Sequence, residues 1–273
     1  MLKTINDIEL GSEVLIKEDN TYKQYILTRK DQNGCELLRK YVSNQKRMHS
    51  SNVSVYDGCE ADLWLTNSET GFLSRFDSNL LSKLVNRSIS TYTYGDTECS
   101  YIQRKCYLYS YGDLFGSNST DLNPEVGILP ALMINKGTSD ANTARKCGYS
   151  AEGSSVNWWL RSAYSATNFW GVGNDGATYV ISASITNFWM RPVLNVSPDT
   201  IVSDEGANII YLLPEATAQG KVYLATEETV SAIRNLVTPR TLDDILVYAL
   251  DFVNDEIVIT SGGLNTYDRT ISN

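Results

Sequence analysis

The sequence predicts an α+β fold, and three observations carry that prediction. Runs of alternating apolar and polar residues near the N-terminus read as antiparallel strands, and two capped, apolar segments after them read as short helices. A tryptophan-rich stretch late in the chain then reads as core strands joined by loops. At 273 residues the chain can bury a sizeable core as one large domain with an appendage.

The opening strands fall at 13–16, 22–28 and 36–42, where β-branched and aromatic residues alternate with polar ones. Glu18-Asp19-Asn20 and Asp31-Gln32-Asn33-Gly34 supply the turns between them. The first helix is expected around 61–65, with Trp64 as a core anchor. The second is expected over 77–85, where Asp77 or Ser78 can cap and Leu80, Leu81, Leu84 and Val85 share one face to pack under the sheet. Residues 116–154 form a long Asn/Ser/Gly-rich connection with one apolar island at 126–134, a length usual for a functional loop or a surface insertion.

The stretch 157–196 holds four of the five tryptophans and organises the rest. Trp158-Trp159-Leu160-Arg161-Ser162 closes one end and Phe188-Trp189-Met190-Arg191-Pro192-Val193-Leu194-Asn195 the other. Both ends are rigid and apolar, so Trp158, Trp159, Trp170 and Trp189 are expected to be buried or half-buried. Between them, 162–187 contains no Lys, Arg, Glu, Gln or Met and a single charge, Asp175. Asn174-Asp175-Gly176 marks a hairpin turn in this soft middle.

Beyond Leu194, residues 209–213 suggest a closing strand, after which the composition shifts. Thr226 followed by two acids opens one helix, Thr241 and Asp244 cap a second, and 256–260 reads as a strand.

Several function classes lose support from composition alone. A net charge of -9 argues against nucleic-acid binding, which needs clustered Lys and Arg. The charged N-terminus shows no signal peptide, and no run is long and apolar enough to insert in a membrane, so synthesis in the cytoplasm is expected. Five cysteines without C-x-x-C spacing read as free, mostly buried thiols. The single histidine, His49, lacks a visible catalytic partner and reads as a strand-end residue. Asn174, Asp175 and Asp199 are too few for a calcium cage, and the G-x-G-x-x-G run at Gly171, Gly173 and Gly176 lacks the helix a phosphate site needs, so no metal and no cofactor is expected.

The two ends, WWLRS and RPVLN, flank an Asn/Asp/Gly/Ser/Tyr-rich middle. This pattern resembles the C-terminal half of a bacterial and phage family with the C-type lectin fold, related to the formylglycine-generating enzymes. Residues 104–115 resemble the family segment in which a strand leads into a short helix, and the likeness spans roughly 10–213. The version seen here is similar to the variable proteins of diversity-generating retroelements. In those systems template adenines are randomised, so an Asn codon can become most residues but never Lys, Glu, Gln, Met or Trp. The middle obeys that rule apart from Trp170, which would be fixed. Residues 225–246 resemble one repeat of phage tail-fibre proteins. The cysteines that give the formylglycine-generating enzymes their chemistry have no counterpart after Cys147, so the resemblance implies no enzyme.

The resemblance implies a C-type-lectin-like ligand-binding domain over 1–213, variable at about 162–187, with a small helical/β appendage at 214–273 for tail assembly or attachment. The function implied is a diversified receptor-binding protein of a phage or prophage virion. Its partners would be a host cell-surface protein or glycan and other phage tail proteins, and tail fibres of this kind suggest a homotrimer. A non-diversified adhesin or structural tail domain of the same fold is the alternative, and an enzyme with an unrecognised site a third. The candidate ligand-binding positions, each a residue that an Asn codon could become, are Tyr164, Ala166, Thr167, Asn168, Gly171, Gly173, Asn174, Ala177, Tyr179, Val180, Ile181, Ser182 and Ile185. Strand alternation would split Tyr179 and Ile181 from Val180 and Ser182.

Overall fold

Antiparallel strands dominate the computed structural model, which describes residues 3–116, 130, 138–204, 209–212, 248–253 and 256–261. Two units separate, Met1–Ile8 with Asp199–Asn273 and Glu9–Pro198. β1 (Lys3–Thr4) belongs to the former; the strands and helices between Glu13 and Val196 build the latter.

β2 (Glu13–Glu18), β3 (Thr21–Asp31) and β4 (Gly34–Arg39) form a meander. The β2–β3 turn is Asp19-Asn20 with φ of 46° and 64°, the left-handed pair that a two-residue hairpin demands and that Asn and Asp tolerate. The third strand ends at Arg39, short of the expected Val42, because the Arg39 guanidinium turns back onto the Tyr41 carbonyl (2.8 Å) and the Val42 carbonyl (2.6 Å). Arg39 is neutralised by Glu18 at 2.8 Å, which also accepts from the Tyr25 hydroxyl.

α1 (Glu60–Thr66) is capped by the Cys59 thiol, which accepts from the Asp62 N–H. Trp64 is half-buried rather than core, with Lys46 Nζ 5.0 Å from its ring centroid and Phe72 at 5.5 Å. α2 (Ser78–Lys83) takes Asp77 as its cap, and the chain leaves the helix early so that the Val85 N–H can reach the Asn195 carbonyl. Leu80 and Leu84 are buried beneath it. A hairpin absent from the sequence expectation follows, β5 (Arg87–Thr91) with β6 (Ser100–Arg104). Then come β7 (Cys106–Tyr107) and α3 (Tyr111–Phe115), the strand and helix expected at 104–115, joined by a Ser110–Asp113 capping box. α4 (Thr138–Arg145) lies in the long connection, whose apolar island falls outside the described residues.

β8 (Trp158–Ala163), β9 (Asn168–Val172) and β10 (Thr178–Ser182) make a three-stranded sheet in the order β10-β9-β8. β11 (Val193–Val196) instead joins the meander between β4 and β7, pairing Leu194 with Leu37 on one side and Cys106 on the other. The core lies under these elements, with Tyr25, Leu37, Tyr107, Trp158, Trp159 and Phe169 fully or almost fully buried.

In the other unit β1 pairs with β12 (Ile201–Asp204), which pairs with β13 (Ile209–Leu212), the strand expected near 209–213. β14 (Tyr248–Val253) and β15 (Glu256–Ser261) form a hairpin, β15 covering the strand expected at 256–260. The two units divide at Pro198/Asp199, and β12 takes its partners from β1 and β13. The two helices expected between 226 and 246 lie outside the described residues. Among the described residues no helix is long and apolar enough to cross a membrane.

Candidate functional site

The ends of the 157–196 stretch are pinned side chain by side chain. Trp158 Nε1 donates to the Arg145 carbonyl (3.2 Å) and Trp159 Nε1 to the Lys46 carbonyl (2.7 Å). Ser162 Oγ accepts from the Tyr111 N–H at the start of α3. Arg161, nearly fully buried, donates to Asp113 (2.8 Å), the Leu108 carbonyl (2.7 Å) and the Ser90 carbonyl (2.8 Å). Burial alone would raise the Asp113 pKa, but Arg161 and Arg29 outweigh it and hold the carboxyl below its ordinary value. At the other end Arg191 lies 5.0 Å from the Trp158 ring centroid and donates to the Arg39 carbonyl, while Asn195 donates to the carbonyls of Asn33 and Val85. Gly34 sits against Asn195 so closely that a Cβ there would lie 2.4 Å from Asn195 Oδ1.

Between these ends the thirteen candidate positions do not form one patch. Near the β8–β9 turn lie Tyr164, Ala166, Thr167 and Asn168, joined by Ser182 and Ile185 because the Ala183 N–H donates to the Thr167 carbonyl. Ala166 and Thr167 are exposed; Tyr164, Asn168, Ser182 and Ile185 are half-buried. The β9–β10 turn holds Gly173, Asn174 and Ala177, a strand's length away, or about 15 Å. Arg145 fixes that turn by donating to the Gly176 carbonyl (2.9 Å), and α4 presses so close that a Cβ on Gly176 would lie 1.9 Å from the Asn142 carbonyl oxygen.

Alternation then divides what remains by face. Tyr179 lies opposite Gly171, exposed at 44%, its ring 5.6 Å from Phe188, and Ile181 lies opposite Phe169 on the same face. Val180 and Ser182 share the other face with Trp170, which Tyr164 meets edge-on at 4.7 Å and Tyr111 in a tilted contact at 4.6 Å. Tyr164 and Tyr179 therefore sit on opposite faces of the sheet. Gly171 and Gly173 are buried, and a side chain on Gly171 would meet the Trp158 carbonyl at 2.9 Å and Phe188 at 3.2 Å. Trp170 and Trp189 are half-buried, within the expected range.

Sequence reasoning missed the segment running from Met48 to Tyr56. The Ser54 N–H donates to the Ala166 carbonyl (3.1 Å), Asn52 Oδ1 accepts from Ser182 Oγ (2.5 Å), and the Met48 and His49 N–H groups both reach the Ala183 carbonyl. Val53 and Val55 are exposed at 38% and 37% beside the β8–β9 turn. Asn52 holds φ of 54°, an Asn-tolerated bend that was the only local signal.

His49 Nδ1 accepts from the Ser51 N–H, so that nitrogen closes a turn. Cys35, Cys59, Cys106 and Cys147 are free and buried; burial pushes Cys35 up to about 11 and Cys59 up to about 12, which keeps both as unreactive thiols. Among the described residues no group of three or more His, Cys, Asp or Glu is placed to hold a metal ion. An open pocket of about 210 Å³ is lined by Thr66, Leu73, Asn86, Gln103, Arg104 and Lys105, none of them a candidate position. Its Arg104 is already held by Asp62 and Asp57.

Residues 32–198 match the DUF6273 family, a domain of unknown function, and the chain belongs to that family. The match ends where the Glu9–Pro198 unit ends. No curated protein and no solved structure matches the chain.

Proposed function

We propose that this chain is a ligand-binding protein of a phage or prophage, a C-type-lectin-like scaffold related to the formylglycine-generating enzymes that presents a diversified surface between 162 and 187. One observation carries the reading. The residues of WWLRS and RPVLN are buried and pinned, whereas most candidate positions between them reach solvent at the β8–β9 turn and along β10. Solvent-facing positions tolerate substitution at little cost in stability, which a diversified surface requires. Tyr179 would supply rigid contact area and Thr167, Asn168 and Ser182 adaptable hydrogen bonds.

The partner would be a host surface protein or glycan, reached from a virion tail through the residues beyond 213. No catalysis is assigned. The burial of Gly171 and Gly173 favours a second reading for those positions, a fixed adhesin or structural tail domain of the same fold, in which only the turns meet the partner. Sequencing around the gene separates the two. A reverse transcriptase gene and a near-copy of the 157–196 coding region differing only at adenines are expected. A locus with neither would leave the fixed adhesin.

A further inference from the structure

We infer that two copies of this chain associate through the outer edge of β10, running antiparallel about Val180. The inference needs only β10 as it stands and not the diversification reading. Among the described residues β10 is an edge of the three-stranded sheet, whereas the far edge of β8 is occupied: the Trp159 N–H donates to the Trp189 carbonyl and the Arg161 N–H to the Tyr109 carbonyl. The hydrogen bonds Gly173 N–H to Ala177 and Ala183 N–H to Thr167 fix which residues of β10 are bonded to β9. By antiparallel alternation these are Tyr179 and Ile181, so the main-chain groups of Thr178, Val180 and Ser182 point away from the sheet. The Ser182 carbonyl also accepts from the Ile185 N–H, which leaves it a second lone pair.

Those outward groups are symmetric about Val180, as on any antiparallel edge, and the side chains of β10 suit a second copy of the same strand. A second β10 laid antiparallel with Val180 opposite Val180 satisfies the outward donors and acceptors of both strands in one register, with about six main-chain hydrogen bonds. Its cross-strand neighbours are Thr178 with Ser182, Tyr179 with Ile181, and Val180 with itself. Each belongs to a favourable class: paired hydroxyls, aromatic on β-branched, β-branched on β-branched. β10 also lacks the usual protection of an edge, since Thr178–Ser182 contains no charge and no proline. A net charge of -9 opposes the approach of two copies only at long range, and salt screens it.

Sedimentation velocity on the full chain, over a rising micromolar series at physiological salt, tests the inference. A reversible two-chain species is expected. Val180→Lys sets two like charges face to face across the axis and should weaken association about tenfold or more, with the melting temperature checked. A wild-type mass that stays at one chain throughout, or an assembly that Val180→Lys leaves unchanged, would overturn the inference. Should that variant fold poorly, amide hydrogen exchange on the wild type decides: the Thr178 and Val180 N–H groups must become protected as concentration rises, and unchanged exchange refutes the pairing.

Discussion

The two anchored ends of the 157–196 stretch and the soft middle between them belong to one piece of sequence, yet they are held in different ways. Arg161 and Asn195 bond to carbonyls and carboxylates from elements distant in the chain, so each end serves several others. The middle is held mostly by its own strands, and among the described residues β10 pairs as a strand with β9 alone. Stability therefore concentrates at the ends, and freedom to vary concentrates where a side chain has few partners.

The largest effect should come from breaking an anchor. Arg161→Ala leaves the buried Asp113 without its closest cation and is expected to cost about 3–5 kcal/mol in urea denaturation, whereas a change of similar size in the middle should not. A substitution that intrudes into a crowded point inside the middle comes next. Gly171→Val must displace Phe188 or the Trp158 backbone, and a loss of about 1–3 kcal/mol is expected; a neutral result would make Gly171 a position free to vary.

Acid should affect the anchors before the middle. The folded pKa of Asp113 is depressed, so its contribution is complete above the unfolded value near 4 and is lost as pH falls through the folded value. Stability measured from neutral pH down to about pH 3 should fall, and Asp113→Asn should flatten that part of the profile. The smallest effects separate the two tyrosines. Tyr164→Ala removes an edge-on contact with Trp170 and should cost about 1 kcal/mol, whereas Tyr179→Ala should stay within about 0.5 kcal/mol. Ligand adsorption that falls with Tyr179→Ala alone would place the contact on the Tyr179 face.

This contrast marks how far the sequence could be read. The β2–β3 turn, the Asp77 cap and the burial of Trp158 and Trp159 were legible because each rests on local chemistry or on sheer apolar area. α4 was not, since Thr138–Arg145 has no apolar stripe and is positioned through Arg145 and its contact with the β9–β10 turn. The β5–β6 hairpin was missed for a similar reason, its strands being short and polar. The site was half-legible. Composition marked the middle as surface-like, but the separation of Tyr164 from Tyr179 depends on register, and the approach of 48–56 depends on tertiary hydrogen bonds. Trp64 shows the opposite error, a large aromatic that settles half-exposed under Lys46 and Arg75.

β11 has a consequence for how the chain is born. It enters the sheet between β4 and β7, two strands synthesised well before it. Until residue 196 clears the ribosome, each of those strands presents a bare margin to its surroundings, and β4 carries Leu37 and Leu38 along it. Closing that gap joins segments more than 150 residues apart, the kind of long-range step that slows folding. A nascent chain arrested before β11 should consequently be held by chaperones or lost to aggregation.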